Sequence, residues 1–251
     1  MQSELELISD AFPDRPEMGP ALSRVLLDQV AAGERGPTVR LSRPGRVVAF
    51  GRRDLNSPGY ARAVTGAREA GFGAMERIAG GRAAAYSEGT LSLTITLPDE
   101  APARRTSARF EYSASLARDA LRDLGIDARI GEVEGEYCPG AFSVNSRGRT
   151  KLVGIGQRMI RGAAHIGFVI AVRDADLIRK VLDPVYAAIG LEWNPETVGA
   201  IDDELPAVQL HEVEESLLAR IRSESVLLPV TLDDATLRLA EAAAPSFRSP
   251  G

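Results

Sequence analysis

The chain has 251 residues, 44% of them hydrophobic and 26% charged, with a net charge of −5; this is a globular composition with room for a large core, and it argues against a general nucleic-acid binder. One cysteine excludes an internal disulfide framework, and that thiol with two scattered histidines cannot furnish a closed zinc site. Met1-Gln-Ser-Glu-Leu-Glu-Leu7 lacks the basic start and apolar core of a secretory signal, and no apolar run is long enough to span a bilayer, so a cytoplasmic protein without membrane contact is expected.

In chain order, Leu22, Val25, Leu26 and Val30 recur at helical spacing and predict a helix over 20–32, stopped by Gly33. Two short strands follow, 38–41 and 47–50, joined by Ser42-Arg-Pro-Gly-Arg46, whose composition is that of a hairpin turn. A helix over 60–70 ends at Gly71. The stretch Arg77-Ile-Ala-Gly-Gly-Arg-Ala-Ala-Ala-Tyr86 leads into the alternation of Leu91, Leu93, Ile95 and Leu97, a strand. Its paired glycines let backbone approach a ligand and offer N–H groups to an anion; a tight β-turn is the other reading.

A long helix over 107–124, closed by Gly125, precedes a short strand at 128–130 and the acidic loop Gly131-Glu-Val-Glu-Gly-Glu-Tyr137, which is suited to a mobile cover or is simply solvated. Residues 162–172 form a strand antiparallel to the one before it, with His165 between apolar neighbours as a core residue or a site residue. Helices are expected over 174–189 and 206–221, with Trp193 packed between them and His211 on the surface. A weak helix over 235–243 and a frayed end after Ala244 close the chain.

The most informative stretch, Glu136 to Arg158, holds the only cysteine and one of two lysines. Cys138 precedes Pro139-Gly140 and belongs to a loop, whereas Lys151 opens the apolar run of a strand. Pairing of Ser143-Val144 with Leu152–Ile155 through the turn Asn145-Ser-Arg-Gly148 would bring thiol and ammonium together. Lysine is informative because arginine is the default cation here: of 30 Lys and Arg residues only Lys151 and Lys180 are lysine. A guanidinium cannot act as a compact point charge or proton acceptor, so Lys151 marks a need for that chemistry, with chance surface placement as the alternative. Lys180 reads as solvated helix surface.

Cys138-Pro-Gly140 followed by Lys151-Leu-Val-Gly-Ile-Gly-Gln-Arg158 resembles the lipoate ligase and octanoyltransferase family, most closely its cysteine-dependent octanoyl transferases. Arg77-x-x-Gly80-Gly81 resembles that family's arginine and glycine-rich loop, with Arg82 where many members have a third glycine and Tyr86 where they have histidine; His165 resembles its His-x-Gly strand. The resemblance implies an α/β (α+β) fold of the biotin/lipoate ligase kind, a mixed and mainly antiparallel sheet flanked by helices. A catalytic domain over residues 1–225 would be followed by a C-terminal helix and frayed tail over 226–251.

It also implies a site with Cys138 and Lys151 as catalytic residues and with Arg77, Gly80, Gly81, Arg82, Gly154, Gly156, Gln157, Arg158 and His165 binding the acyl group. The implied reaction passes an octanoyl or lipoyl group through a Cys138 thioester to a lysine of a lipoyl carrier domain. Partners would be the glycine cleavage H protein, the E2 component of 2-oxoacid dehydrogenases and acyl carrier protein as a donor, and the enzyme would act as a monomer without a cofactor. Two alternatives stay open. One is an ATP- and magnesium-dependent lipoate ligase in which Cys138 is a bystander and Arg82 would crowd the loop. The other is a non-catalytic acyl or carrier-protein binder, since a free cysteine is commonly an inert small hydrophobe.

Overall fold

The computed structural model describes residues 4–250. Strand β1 (Glu4–Asp10) leads to α1 (Met18–Ala32), β2 (Thr38–Ser42), β3 (Val47–Phe50), the single turn α2 (Arg52–Leu55) and α3 (Tyr60–Glu69). Next come β4 (Gly73–Glu76), β5 (Ala84–Tyr86), β6 (Thr90–Asp99), α4 (Thr106–Asp123), β7 (Ala128–Ile130) and β8 (Val144–Ser146). The long hairpin β9 (Thr150–Ile160) and β10 (Gly162–Ala171) precedes α5 (Ala175–Ile189), α6 (Leu210–Arg222), β11 (Val226–Pro229) and α7 (Asp234–Ala243). The strands form an eight-stranded sheet in the order β11-β1-β2-β6-β10-β9-β8-β7 and a three-stranded sheet β4-β3-β5. Within the large sheet β11, β1 and β2 are parallel and the other pairs antiparallel, the mixed architecture expected.

Period-two alternation gives the large sheet two unlike faces. Leu91, Leu93 and Ile95 join Val39, Leu41, Ile166 and Phe168 on one face, in a core shared with Ala117 and Leu121 of α4 and Leu217 and Ile221 of α6. The opposite face presents Ser92, Thr94 and Thr96, and register extends each across the sheet. Arg40, Thr94, Gly167 and Gly156 lie side by side in one row, with Thr38, Thr96, His165 and Arg158 in the next. Helix α1 and the small sheet stand over this polar, glycine-bearing face: Val47, Ala49, Met75 and Tyr86 pack on Val169 there. Helices α3 and α5 back the small sheet through Val64, Ala67, Ile178 and Leu182.

Three expectations change. The turn between β2 and β3 does not make a hairpin, because both edges of β2 are taken, by β1 and β6, and β3 pairs with β4 and β5 in the other sheet. The acidic loop 131–137 is not a cover: Val133, Glu136 and Tyr137 are buried. Nor does the end of the chain fray as a separate tail. Strand β11 pairs with β1, Ala240 and Ala244 pack on Leu22 and Leu26, Arg248 is paired with Glu17, and the Ser249 hydroxyl accepts from Tyr60 Oη at 2.9 Å.

Candidate active site

Lys151 reaches the site through a β-bulge. Val144 pairs with Val153 but Asn145 with Lys151, so Leu152 is an extra residue in β9. Strict alternation would put Lys151 on the face opposite Gly154 and Gly156; the inserted residue reverses that parity. A Cβ built on Gly154 would lie 3.4 Å from Lys151 Cε, so lysine and glycines share one face. The tight turn that returns the chain is carried by Arg147 and Gly148 at φ 54° and 75° and closed by the Arg149 N–H on the Ser146 carbonyl, one residue later than the sequence indicates.

Buried in the bulge, the Lys151 ammonium donates to Glu136 Oε1 at 2.9 Å and to the carbonyls of Tyr137 and Cys138 at 3.0 and 2.8 Å. All three of its hydrogens are used on the segment that precedes the thiol. Glu136 gathers that loop from the other side: its carboxylate accepts from the N–H groups of Val133 and Gly140 and from the Ser143 hydroxyl. Cys138 itself has φ 43°, in the left-handed region, a conformation that costs on the order of 1–3 kcal/mol for a non-glycine residue. It is held there from both ends, since its N–H donates to Tyr186 Oη at 2.7 Å and its carbonyl accepts from Lys151. The Tyr186 hydroxyl in turn donates to the Ala83 carbonyl, tying the cysteine loop to the strand after the glycine pair. Trp193, half-buried, packs on Tyr186 and Tyr137 behind this loop.

The thiol faces the glycine loop. The Arg82 N–H donates to Sγ at 3.2 Å, and Arg77 Nη2 donates to Sγ at 3.3 Å and to the Arg82 carbonyl at 2.5 Å. Gly81, at φ 104°, makes room for this meeting, because a Cβ there would stand 2.5 Å from Arg77 Nη2 and 2.7 Å from Sγ. Burial pushes the Cys138 thiol up, but the charges of Arg77 and Lys151 and the hydrogen bonds from Arg77 and Arg82 outweigh it and hold the thiol below its ordinary value. The nearest cation is therefore Arg77. Lys151 acts on the sulfur only through space.

Cys138 opens onto a cavity of about 790 Å³, in the range of small-molecule sites. Arg77, Gly80, Gly81, Lys151, Gly154, Gly156, Gln157 and His165 line it, together with apolar side chains that include Phe110, Phe142 and Met159. Arg82 and Arg158 lie outside its wall. The Arg82 side chain does not crowd the loop, since it turns to the buried Asp54 carboxylate at 3.4 Å. Gln157 gives both ends of its amide to α4, accepting from Arg109 Nε and donating to the Thr106 carbonyl. His165 is buried with Nδ1 3.0 Å from the Thr96 hydroxyl, and burial, then the charge of Arg40, push its imidazole down to about 3. Glu136 and Tyr186 were not identified as site residues from the sequence; Glu136 stands in the same motif as Cys138 and Lys151, whereas only the fold brings Tyr186 to it.

Residues 15–222 match the lipoyl protein ligase A/B catalytic domain. Among curated relatives, an octanoyl-[GcvH]:protein N-octanoyltransferase of Anoxybacillus flavithermus is 31% identical over 152 residues, 61% of this chain and 54% of that protein. One from Geobacillus kaustophilus is 26% identical over 188 residues, covering 75% and 66%, and a lipoyl-[GcvH]:protein N-lipoyltransferase of Listeria monocytogenes is 23% identical over 210 residues, covering 76% and 75%. The chain thus spans between 54% and 66% of the length of these two octanoyltransferases. Among solved structures, a lipoate-protein ligase A bound with ATP superposes with a TM-score of 0.76 at 19% identity, covering 96% of this chain and 94% of that one. A bi-partite lipoate protein ligase of Thermoplasma acidophilum, described with its E2 lipoyl domain, gives 0.74 at 19%, covering 97% and 93%. With residues 15–222, most of this chain, matched by the family's domain and that fold in place, the chain belongs to the lipoyl protein ligase A/B catalytic domain family.

Proposed function

We propose that this protein is an acyltransferase that holds an octanoyl or lipoyl group as a thioester on Cys138 and delivers it to a lysine of a lipoyl carrier domain. The observation that carries this reading is the thiol, set on a strained turn at the cavity with a guanidinium and a main-chain N–H donating to its sulfur. The thiolate attacks the donor's acyl carbonyl, the donor's heteroatom leaves with one proton, and an S-acyl enzyme remains. The acceptor amine then attacks the new carbonyl, forming the amide and releasing the thiolate and one proton. Both steps balance without a nucleotide, so the route requires no cofactor. Donors beside the sulfur, the Arg77 guanidinium and the Arg82 N–H, stand where each tetrahedral intermediate develops its oxyanion. Burial of about six methylenes in the cavity contributes roughly 5 kcal/mol to holding the chain.

The relatives' names pair an octanoyl or lipoyl group on GcvH with a protein acceptor, and the same exchange is the reading here, with an E2 lipoyl domain as acceptor. Acyl carrier protein is a further donor of the same thioester chemistry, and the chain acts as a monomer. The second reading, an ATP-dependent ligase, has support in the fold shared with the ATP-bound ligase. An acyl-adenylate needs free N–H groups at the glycine loop, however, and that of Gly80 is already given to the Gln157 carbonyl at 3.3 Å; these residues fit a thioester better than an adenylate with magnesium.

Incubation with an octanoyl thioester, read by intact-protein mass, is expected to add one octanoyl group that neutral hydroxylamine removes, and Cys138→Ser should lose both the adduct and transfer to apo carrier domain. Undiminished ligation of lipoate with ATP by Cys138→Ser would overturn the assignment.

A further inference from the structure

The cavity runs across the sheet to a closed end built from an ion pair. From the exposed Gly80 and Gly81 beside Cys138, its floor passes over Gly156 and Gly167 to Thr94 and Arg40, one residue per strand in register. Exposure falls steadily along this line: the two glycines of β9 and β10 are half-buried, Thr94 is 6% exposed and Arg40 2%. Three strand spacings, about 14 Å, separate the first and last of these positions. That accommodates a medium-length acyl chain laid along a floor that carries a side chain at neither of its two glycines. A Cβ on Gly167 would find only His165 Nε2 at 3.8 Å, so the floor is free at its middle, whereas Gly156 lies close under the glycine loop, where a Cβ would meet Ala79 and the Gly80 carbonyl at 3.3 and 3.4 Å.

Arg40 stands up from the floor at the inner end. Its guanidinium is clamped by both oxygens of Asp10 and donates through Nη1 to the Gly19 carbonyl at 3.1 Å and the Ser23 hydroxyl at 3.3 Å, crossing from the sheet to α1. Asp10, Gly19, Ser23 and Arg40 all line the cavity. The pair is self-satisfied and its charges cancel, which makes it a wall rather than a seat for an anionic ligand. A methyl terminus stops against it, whereas a longer chain would have to break a buried, hydrogen-bonded ion pair.

We propose that Arg40, locked to Asp10, is the end-stop that sets the acyl chain length this protein accepts; the proposal rests on the acyl-transfer reading above. Removing both charges together, in Arg40→Ala with Asp10→Asn, avoids an unpaired buried charge and deepens the pocket. Gly167→Val raises the floor midway and shortens it. The test measures S-acylation of wild type and both variants by six- to twelve-carbon acyl thioesters, and binding of the corresponding free fatty acids by thermal shift. For the double variant the preference for decanoyl over octanoyl should rise about tenfold, the worth of two methylenes. For Gly167→Val hexanoyl should overtake octanoyl. A folded double variant and a folded Gly167→Val that both keep the wild-type length profile would overturn the end-stop, as would a pair that serves only to hold α1 and shifts thermal stability alone. Length-dependent binding without any adduct would sink the transfer reading and leave the end-stop standing. Neither binding nor adduct at any length would overturn both.

Discussion

At the level of single residues, the site divides labour between two cations. Arg77 touches the sulfur, while Lys151 uses its three hydrogens to fix the backbone that carries it. A guanidinium is planar and too large to place three donors among Glu136 and two successive carbonyls. Lys151→Arg and Lys151→Ala are therefore both expected to lower acyl transfer by about 100-fold, the scale of a 1 Å misplacement, with helicity by circular dichroism unchanged in the arginine variant. Wild-type turnover of Lys151→Arg would show that positive charge alone suffices. The sequence made Cys138 and Lys151 legible because each is rare in this chain. It concealed Glu136, one carboxylate among many, and Arg40, one arginine among many.

His165 gives a pH test. Its folded value, about 3, lies below the ordinary value near 6.5, so the unfolded chain takes up a proton that the folded one refuses. The stability this contributes is whole above pH 6.5 and is lost as the pH falls toward 3. Between pH 7 and pH 5 urea unfolding should show wild type losing about 2 kcal/mol more than His165→Asn. Equal losses would place the imidazole in a less apolar setting.

Secondary structure is most legible in the sequence where one face of an element is apolar. Leu91, Leu93 and Ile95, and the helices stopped by Gly33 and Gly125, stand where the pattern puts them, because burial enforces the period. Strand β3 stands at 47–50 as expected but with other partners, since four residues buried on every side carry no mark of which sheet they join; β1 and β11 escape the sequence reading because each pairs with the other from the far end of the chain. The bulge at Leu152 has no sequence signature of its own, since both it and Val153 are buried apolar residues. Contact between the elements of the site depends on Gly81, whose backbone conformation and clearance both exclude a side chain. Gly81→Ala should fold, with a Tm within a few degrees of wild type, yet react with iodoacetamide at Cys138 at least about tenfold more slowly at neutral pH, as the hydrogen bonds that sustain the thiolate are pushed apart. An unchanged alkylation rate would mean that the loop does not tune the thiol.

Across the whole molecule, the segment after residue 225 belongs to the same packed body as the site, although composition reads it as a weak helix with a loose end. Phe247, Val230 and Leu232 pack with α7 against α1, and α1 supplies Gly19 and Ser23 to the inner end of the cavity. Deletion after Ser225 is expected to remove roughly 5 kcal/mol of apolar burial and lower Tm by about 10 °C or more, measured by calorimetry. A truncated chain as stable as the full one would make that segment an accessory. The parallel pairing of β11 with β1 also fixes an order of events in time. During synthesis β1 emerges roughly 220 residues ahead of β11, an interval on the order of 10–40 s at 5–20 residues per second. Through that interval one edge of β1 stands open beside β2, so a growing chain offers a ready template to any extended segment nearby until its last strand arrives.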